Sequence, residues 1–450
     1  MMVFSPDTLR RLGAALVLPL SLVLGAAEPA AATTIERVVS PGGIEAWLVH
    51  EPAVPLIAVD FAFVGGSAQD PAGLAGTANL AASLLDSGAG DLDSKAFADR
   101  LERKAIEMSF SADRDNLRGS LRMLTDNRDE AFDLLRLALT APRFDAADVE
   151  INRAQILSML RRETTNPGDI ASMRWWETAF QGHPYGRPVK GTAESVPNIT
   201  IADLKAYTGR VIARGNLKIA VVGDIDAATL KPLLDRVFGT LPAKPDLVAV
   251  DNVTPGGLGR RIVVNLDVPQ AVVDFGGPGI ARNDPDFMAA YIVNHILGGG
   301  SFSSRLYQEV REKRGLAYSV SDSLVWLNHA ALFLGGTATR ADRTAETLAL
   351  IEKEIHRLAE TGPTQAELDA AKNYLNSSFA LNLDTSSKIA SLLVQFQLDD
   401  LGIDYIERRK AMIAAVTLDD ARRVAKRLLD AGLLVTVVGK PDGVAATTAN

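Results

Sequence analysis

Residues 54–64 read VPLIAVDFAFV, and residues 268–275 read VPQAVVDF. Both runs are rich in β-branched and aromatic residues, as a buried strand requires. Each is followed by glycines, an aspartate (Asp70 or Asp284) and an apolar helical stretch, Leu74 to Leu85 in the first case and Phe287 to Leu297 in the second. A second pair of runs closes the two stretches, LKIAVVG at 217–223 and LLVTVVG at 433–439, each stopped by glycine. One plan met twice in the same order predicts a duplicated fold. Amphipathic segments at 126–139, 146–162, 344–358 and 364–381 lie between the paired strands. Strands and helices mixed within each half predict an α+β architecture of two homologous domains, each an antiparallel-rich β-sheet packed with helices.

Outward from these markers, the segment Leu241 to Gly259 holds Pro242, Pro245 and Pro255 with several glycines and reads as an exposed linker. The expected division is a first domain at 33–247, a linker at 248–258, a second domain at 259–444 and a tail at 445–450. At the N-terminus, Arg10 and Arg11 precede the apolar run Leu12 to Ala27, and small residues follow at Ala30 to Ala32. That order reads as a signal peptide over 1–32. A membrane anchor is the alternative, but the run is short for a span and ends at Pro29 without a basic flank. An exported, periplasmic protein is the resulting expectation.

Composition narrows the functional classes. At 450 residues the chain exceeds what one hydrophobic core usually supports. With 47% hydrophobic and 23% charged residues it is an ordinary globular chain. There is no cysteine, which excludes disulfides and thiolate metal sites. The net charge of −8 gives no electrostatic case for nucleic acid.

The longest distinctive motif is GGGSFSSRLYQEVREKRGLAYSV at 298–320, which sets Arg311 and Tyr318 seven residues apart. The glycine triplet lacks the lysine and Ser/Thr of a phosphate-binding loop and reads as a sharp reversal between helices. Ser301 or Ser303 is expected to cap a helix with Phe302, Leu306 and Val310 on one face, ended by Gly315. Leu316, Tyr318 and Val320 are expected to share one face of the following strand. Taken alone, Arg311 is a solvated charge pairing with Glu309 or Glu312, and Tyr318 a half-buried strand aromatic.

Together with GLAG at 73–76, HPYGRPVKG at 183–191 and VVGD at 221–224, this motif resembles the M16 metallopeptidase family, the group of pitrilysin, insulin-degrading enzyme and the mitochondrial processing peptidase. The resemblance covers essentially the whole chain after residue 32. It implies a zinc motif His-x-x-Glu-His on the helix after the first strand, with a further glutamate ligand and a supporting glutamate on a later helix. The matching positions here are Gly76 and Leu80 for the histidines, Asn79 for the glutamate, Met159 for the third ligand and Asn152 for its support. Glycine and leucine cannot hold zinc, a lone thioether is a poor match, and an amide cannot take a proton from water. No metal is expected on this chain. The histidines His50, His183, His295, His329 and His356 show no ligand spacing that would replace the motif.

The resemblance also implies that Arg311 and Tyr318 donate hydrogen bonds to a substrate carbonyl and to the charge developing on its oxygen. Some members of the family divide these parts between two chains. This chain is therefore expected to be the non-metal subunit of a heterodimeric zinc peptidase acting on peptides, with zinc on the partner. The alternative is a non-catalytic structural core subunit or peptide-binding protein of the same fold.

Overall fold

The computed structural model describes residues 34–447, so the expected signal peptide at 1–32 lies outside the described residues. The first sheet contains β1 (Glu36–Val39), β2 (Glu45–His50), β3 (Leu56–Val64), β4 (Glu107–Ala112), β5 (Asn116–Leu124) and β6 (Leu217–Gly223), in the order β1-β2-β6-β3-β5-β4. The second contains β7 (Arg261–Asn265), β8 (Gln270–Pro278), β9 (Ala317–Trp326), β10 (Ala331–Arg340) and β11 (Leu434–Gly439), in the order β7-β11-β8-β10-β9. Apart from β1, the two orders are the same when β2 is matched to β7 and β6 to β11. Each sheet has one parallel pair, β2 with β6 and β11 with β7, and is otherwise antiparallel. The expected α+β duplication is present, and the strands that announced it, β3 with β8 and β6 with β11, are central in both sheets.

The duplication extends to register. Phe61 pairs with Gly119 on β5, and Phe275 pairs with Gly335 on β10. In both places the phenyl ring lies across the glycine, and a Cβ there would collide with it. The close approach requires glycine and lets each ring fill the space over its neighbouring strand.

Along β3, Ile57, Val59, Phe61 and Phe63 enter the first core beside Phe97, Phe132 and Phe238. The alternate residues, Ala58 and Ala62, are small and also buried. A helix from the other half covers them: Ser386–Leu398 packs across β3 and β6, and the Gln397 side-chain amide donates to the Ile219 carbonyl at 2.9 Å. The exchange is reciprocal. Pro167–Ala179, from the first half, packs across β8 and β11, and the fully buried Trp175 indole donates to the Leu434 carbonyl at 3.1 Å.

The hairpin tips of the two halves also meet. Buried Asp115 accepts from the Tyr185 hydroxyl and from the Asn328 backbone N–H at 2.8 Å, while the Tyr185 oxygen accepts from the His329 N–H at 3.1 Å. This gives the HPYG motif its purpose: His183 accepts the Tyr185 N–H through Nδ1 and faces the Asp251 carbonyl through Nε2 at 3.0 Å. The connecting segment is mostly exposed and without regular structure. It is nonetheless tied down by Gln69 to both polar groups of Val248 and by the Gly256 N–H to the Ala179 carbonyl at 2.8 Å. No helix among the described residues is long and apolar enough to cross a membrane.

One helix is shorter than the sequence suggests, and a second changes its winding partway along. The stretch expected from Leu74 to Leu85 is helical only over Thr77–Ala82, and Phe287–Asn294 passes into a π-turn at His295–Gly299. Trp175→Ala removes the side chain that joins the first half's helix to the second half's sheet. It is expected to lower stability by about 3–5 kcal/mol, as one cooperative transition in urea followed by circular dichroism and fluorescence.

Candidate functional site

Arg311 stands on a π-helical segment, Tyr307–Glu312, in which the Lys313 N–H reaches the Gln308 carbonyl at 3.0 Å. Such widened turns occur often at functional sites. The start of this element differs from expectation. Ser301–Ser303 is a short 3-10 turn, Phe302 is 70% exposed, and only Leu306 and Val310 are buried. The helix begins after Ser304, whose hydroxyl and carbonyl accept from the N–H groups of Tyr307 and Gln308.

Tyr318 also departs from the simple alternation of a strand. Val320 pairs with Thr337 and Ala317 with Thr339, so Tyr318 and Ser319 together oppose Ala338. This β-bulge inserts one residue and turns side chains to new directions. Tyr318 is therefore 82% exposed, whereas Leu316, Ala317 and Val320 are buried. The bulge is held on both sides: the Thr337 hydroxyl donates to the Ser319 carbonyl at 2.7 Å, and that of Thr339 to the Leu316 carbonyl at 2.6 Å.

Bulge and π-turn bring the two side chains together. The Arg311 guanidinium carbon lies 4.6 Å from the centroid of the Tyr318 ring and 4.8 Å from that of Tyr307. Its one ion pair among the described residues is a long one, 3.9 Å to Glu312, and neither its guanidinium nor the Tyr318 hydroxyl makes a hydrogen bond with a described residue. Glu309, the other candidate partner, is occupied by Lys313 at 2.6 Å and Arg314 at 2.7 Å. Those two hydrogen bonds pull its carboxyl down to about 2. Two donor groups thus sit side by side at the surface with their hydrogen-bonding capacity unspent. Tyr307 is a contributor that the sequence reading did not single out, and its signal was its position four residues before Arg311.

Four residues along β9 from Tyr318, Asp322 is buried and accepts from the Asn294 side-chain amide. Burial pushes its carboxyl well above the usual range. It lies against Gly298, in the His295–Gly299 π-turn that ends the Phe287–Asn294 helix.

The remaining predicted positions lie in the first half and form no site. Gly76 precedes the Thr77–Ala82 helix with φ +98°, and a Cβ there would come within 2.8 Å of the Lys190 carbonyl oxygen. Leu80 is wholly buried in the first core. Asn79 is half-buried, and its side chain has no partner among the described residues. On the Ala146–Glu163 helix, Asn152 spends its amide on the Asp148 carbonyl at 3.0 Å, and Met159 is exposed. No three His, Asp or Glu side chains among the described residues come together in a way that could hold a metal ion. The residues at these positions do not fit zinc.

Asp70 organises this region instead. Its carboxylate accepts from the Gly76 and Ala78 N–H groups, each at 2.8 Å, closing the end of the short helix. Burial nevertheless raises its carboxyl to about 7. The five histidines are dispersed, with His295 stacked on Tyr374 at 4.9 Å, His50 facing the Ile225 carbonyl and His356 paired with Glu360. Gly76→Ala is expected to destabilise the protein by at least about 1–2 kcal/mol from the left-handed backbone alone. Restoring histidines at 76 and 80 should therefore lower the melting temperature without zinc uptake, as calorimetry and metal analysis would read.

Comparison with known proteins adds the following. A family model described as "Insulinase (Peptidase family M16)" matches residues 47–193, and one described as "Peptidase M16 inactive domain" matches residues 198–375. The chain is 28% identical over 416 residues to an uncharacterized zinc protease of Mycobacterium bovis, covering 92% of this chain and 95% of that protein. It is 28% identical over 335 residues to the Helicobacter pylori non-peptidase homolog YmxG, covering 74% of this chain and 77% of that one. A crystal structure of a peptidase M16 inactive domain from Pseudomonas fluorescens superposes with a TM-score of 0.85 at 28% identity, covering 92% of this chain and all of that one.

Proposed function

The chain belongs to the M16 peptidase family, and from that premise we propose that it is the metal-free subunit of a two-chain zinc peptidase. The observation that carries the reading is the contrast between its two halves. Arg311 and Tyr318 present unspent donors at the surface, while the helix at Gly76 has neither ligands nor room for them. A pair of exposed donors is the equipment needed to hold a peptide carbonyl and the negative charge that builds on its oxygen. Zinc, its ligands and the general base would belong to a similar partner chain, and hydrolysis would take place there. Export to a periplasm, read from the first 32 residues, belongs to the same proposal.

In this arrangement the contact of Arg311 with the Tyr307 and Tyr318 rings steadies the guanidinium without consuming its N–H groups, which remain free to donate. Tyr318 adds a hydroxyl from the adjacent strand. The division of labour accounts for the retention of this motif beside an emptied metal site, which a purely structural subunit would have no reason to keep.

The test is co-expression with a His-x-x-Glu-His chain encoded nearby, followed by purification, a zinc count and cleavage of an internally quenched peptide. One zinc per heterodimer, with none on this chain alone, is the expected stoichiometry. Arg311→Ala should lower kcat of the complex by roughly 100-fold or more, the scale of losing an oxyanion donor. Tyr318→Phe keeps the ring on Arg311 and removes only the hydroxyl, so a smaller fall in kcat is expected. Neither change should dissolve the complex. Unchanged kinetics in both variants would remove the assigned role and leave a structural or peptide-holding subunit.

A further inference from the structure

The repeated strand carries one more matched feature, an aspartate on the face turned away from each half's own core. Asp60 on β3 lies opposite Ser120 and Ala220, and Asp274 on β8 lies opposite Gly336 and Thr436. Each lines a cleft between its sheet and the helix received from the other half. The first cleft, about 400 Å³, includes Ser109, Ser120, Ser387 and Ala390; the second, about 250 Å³, includes Ser172, Trp175, Trp176 and Gly336.

The two carboxylates differ in their surroundings. Asp60 feels Arg118, and a Glu107–Arg122 ion pair stands in the lining of its cleft. Asp274 makes no hydrogen bond or ion pair with any described residue, and burial alone pushes its carboxyl up to about 6. The Arg114 guanidinium lies over the Trp176 ring at 3.5 Å and donates to the Tyr185 carbonyl. Beside Asp274, the Thr436 hydroxyl oxygen is also buried without a partner. Gly336 leaves the floor open, since a Cβ there would stand 3.0 Å from the Asp274 carboxylate.

A half-buried carboxylate without a counter-ion is costly, and the usual remedies are neutralisation or a cation brought from outside. The Trp175 and Trp176 side chains give the cleft an apolar wall, along which the methylene stem of a lysine or arginine can lie while its charged head meets the carboxylate. The cleft is smaller than the roughly 300–1,000 Å³ of drug-sized sites, which matches one side chain rather than a whole ligand. We propose that the cleft beneath the Pro167–Ala179 helix is a subsite for a single lysine or arginine side chain of a bound peptide, with Asp274 as its counter-ion. This assignment concerns residues of this chain alone and stands whether or not a zinc-bearing subunit joins it.

Calorimetric titration of the full chain, without any partner, tests it. The probes are a blocked pentapeptide Gly-Ala-Lys-Ala-Gly, its norleucine counterpart, and 1,5-diaminopentane, which offers the ammonium without a peptide. The lysine peptide is expected to bind at least tenfold tighter than the norleucine peptide, and tighter than the diamine. Asp274→Asn should erase that preference and Asp60→Asn should leave it intact. Ser172→Arg, which supplies a cation from within the cleft, should erase it as well and serves where the asparagine variant fails to fold. Equal binding of the lysine and norleucine peptides, no binding of either, or a preference that survives Ser172→Arg would overturn the proposal. Binding of the diamine as tightly as the peptide would overturn the peptide assignment in favour of free amines.

Discussion

Each sheet in this protein is covered on its second face by a helix that the other half supplies. A sheet with one face on its own core and the other in water could stand alone. Here the second faces carry Ala58 and Ala62 in one half and accept Trp175 in the other, surfaces shaped for close approach and not for solvent. Burial of the exchanged helices, together with the Asp115, Tyr185 and Asn328 hydrogen bonds, holds the hairpin tips together. The positions of the clefts and of the connecting segment follow from that exchange.

Much of this was legible in the sequence because strands are local. The β3 and β8 runs, and β6 with β11, announced a duplicated sheet through composition and glycine stops alone. The exchange of helices was not legible, since the 167–179 and 386–398 segments look like any amphipathic helix and nothing local says whose sheet they cover. The register match of Phe61 with Gly119 and Phe275 with Gly335 was equally hidden, because it joins residues far apart in the chain.

At the site, the identity of Arg311 and Tyr318 came from the resemblance, and their geometry came from two irregularities that periodicity cannot foresee. A π-turn and a bulge each add a residue to an otherwise regular element, and together they turn both side chains outward and toward each other. Regular periods would have buried Tyr318 with Leu316 and Val320 on one face. The pairing of Glu309 with Lys313 and Arg314 was a matter of side-chain competition, decided by reach rather than by spacing alone. In the first half, the sequence identified the loss of ligands at Gly76, Asn79 and Leu80, but not that the backbone at Gly76 has turned left-handed and closed over the space.

The reciprocal helices have a consequence for how such a chain can change over time. A substitution on the Pro167–Ala179 helix is felt by a sheet encoded a hundred residues later, and one on Ser386–Leu398 by a sheet encoded long before it. Each half keeps a core of its own, but the second face of its sheet is shared with the other half. The π-turn and the bulge that carry Arg311 and Tyr318 are built from second-half residues alone and escape that coupling.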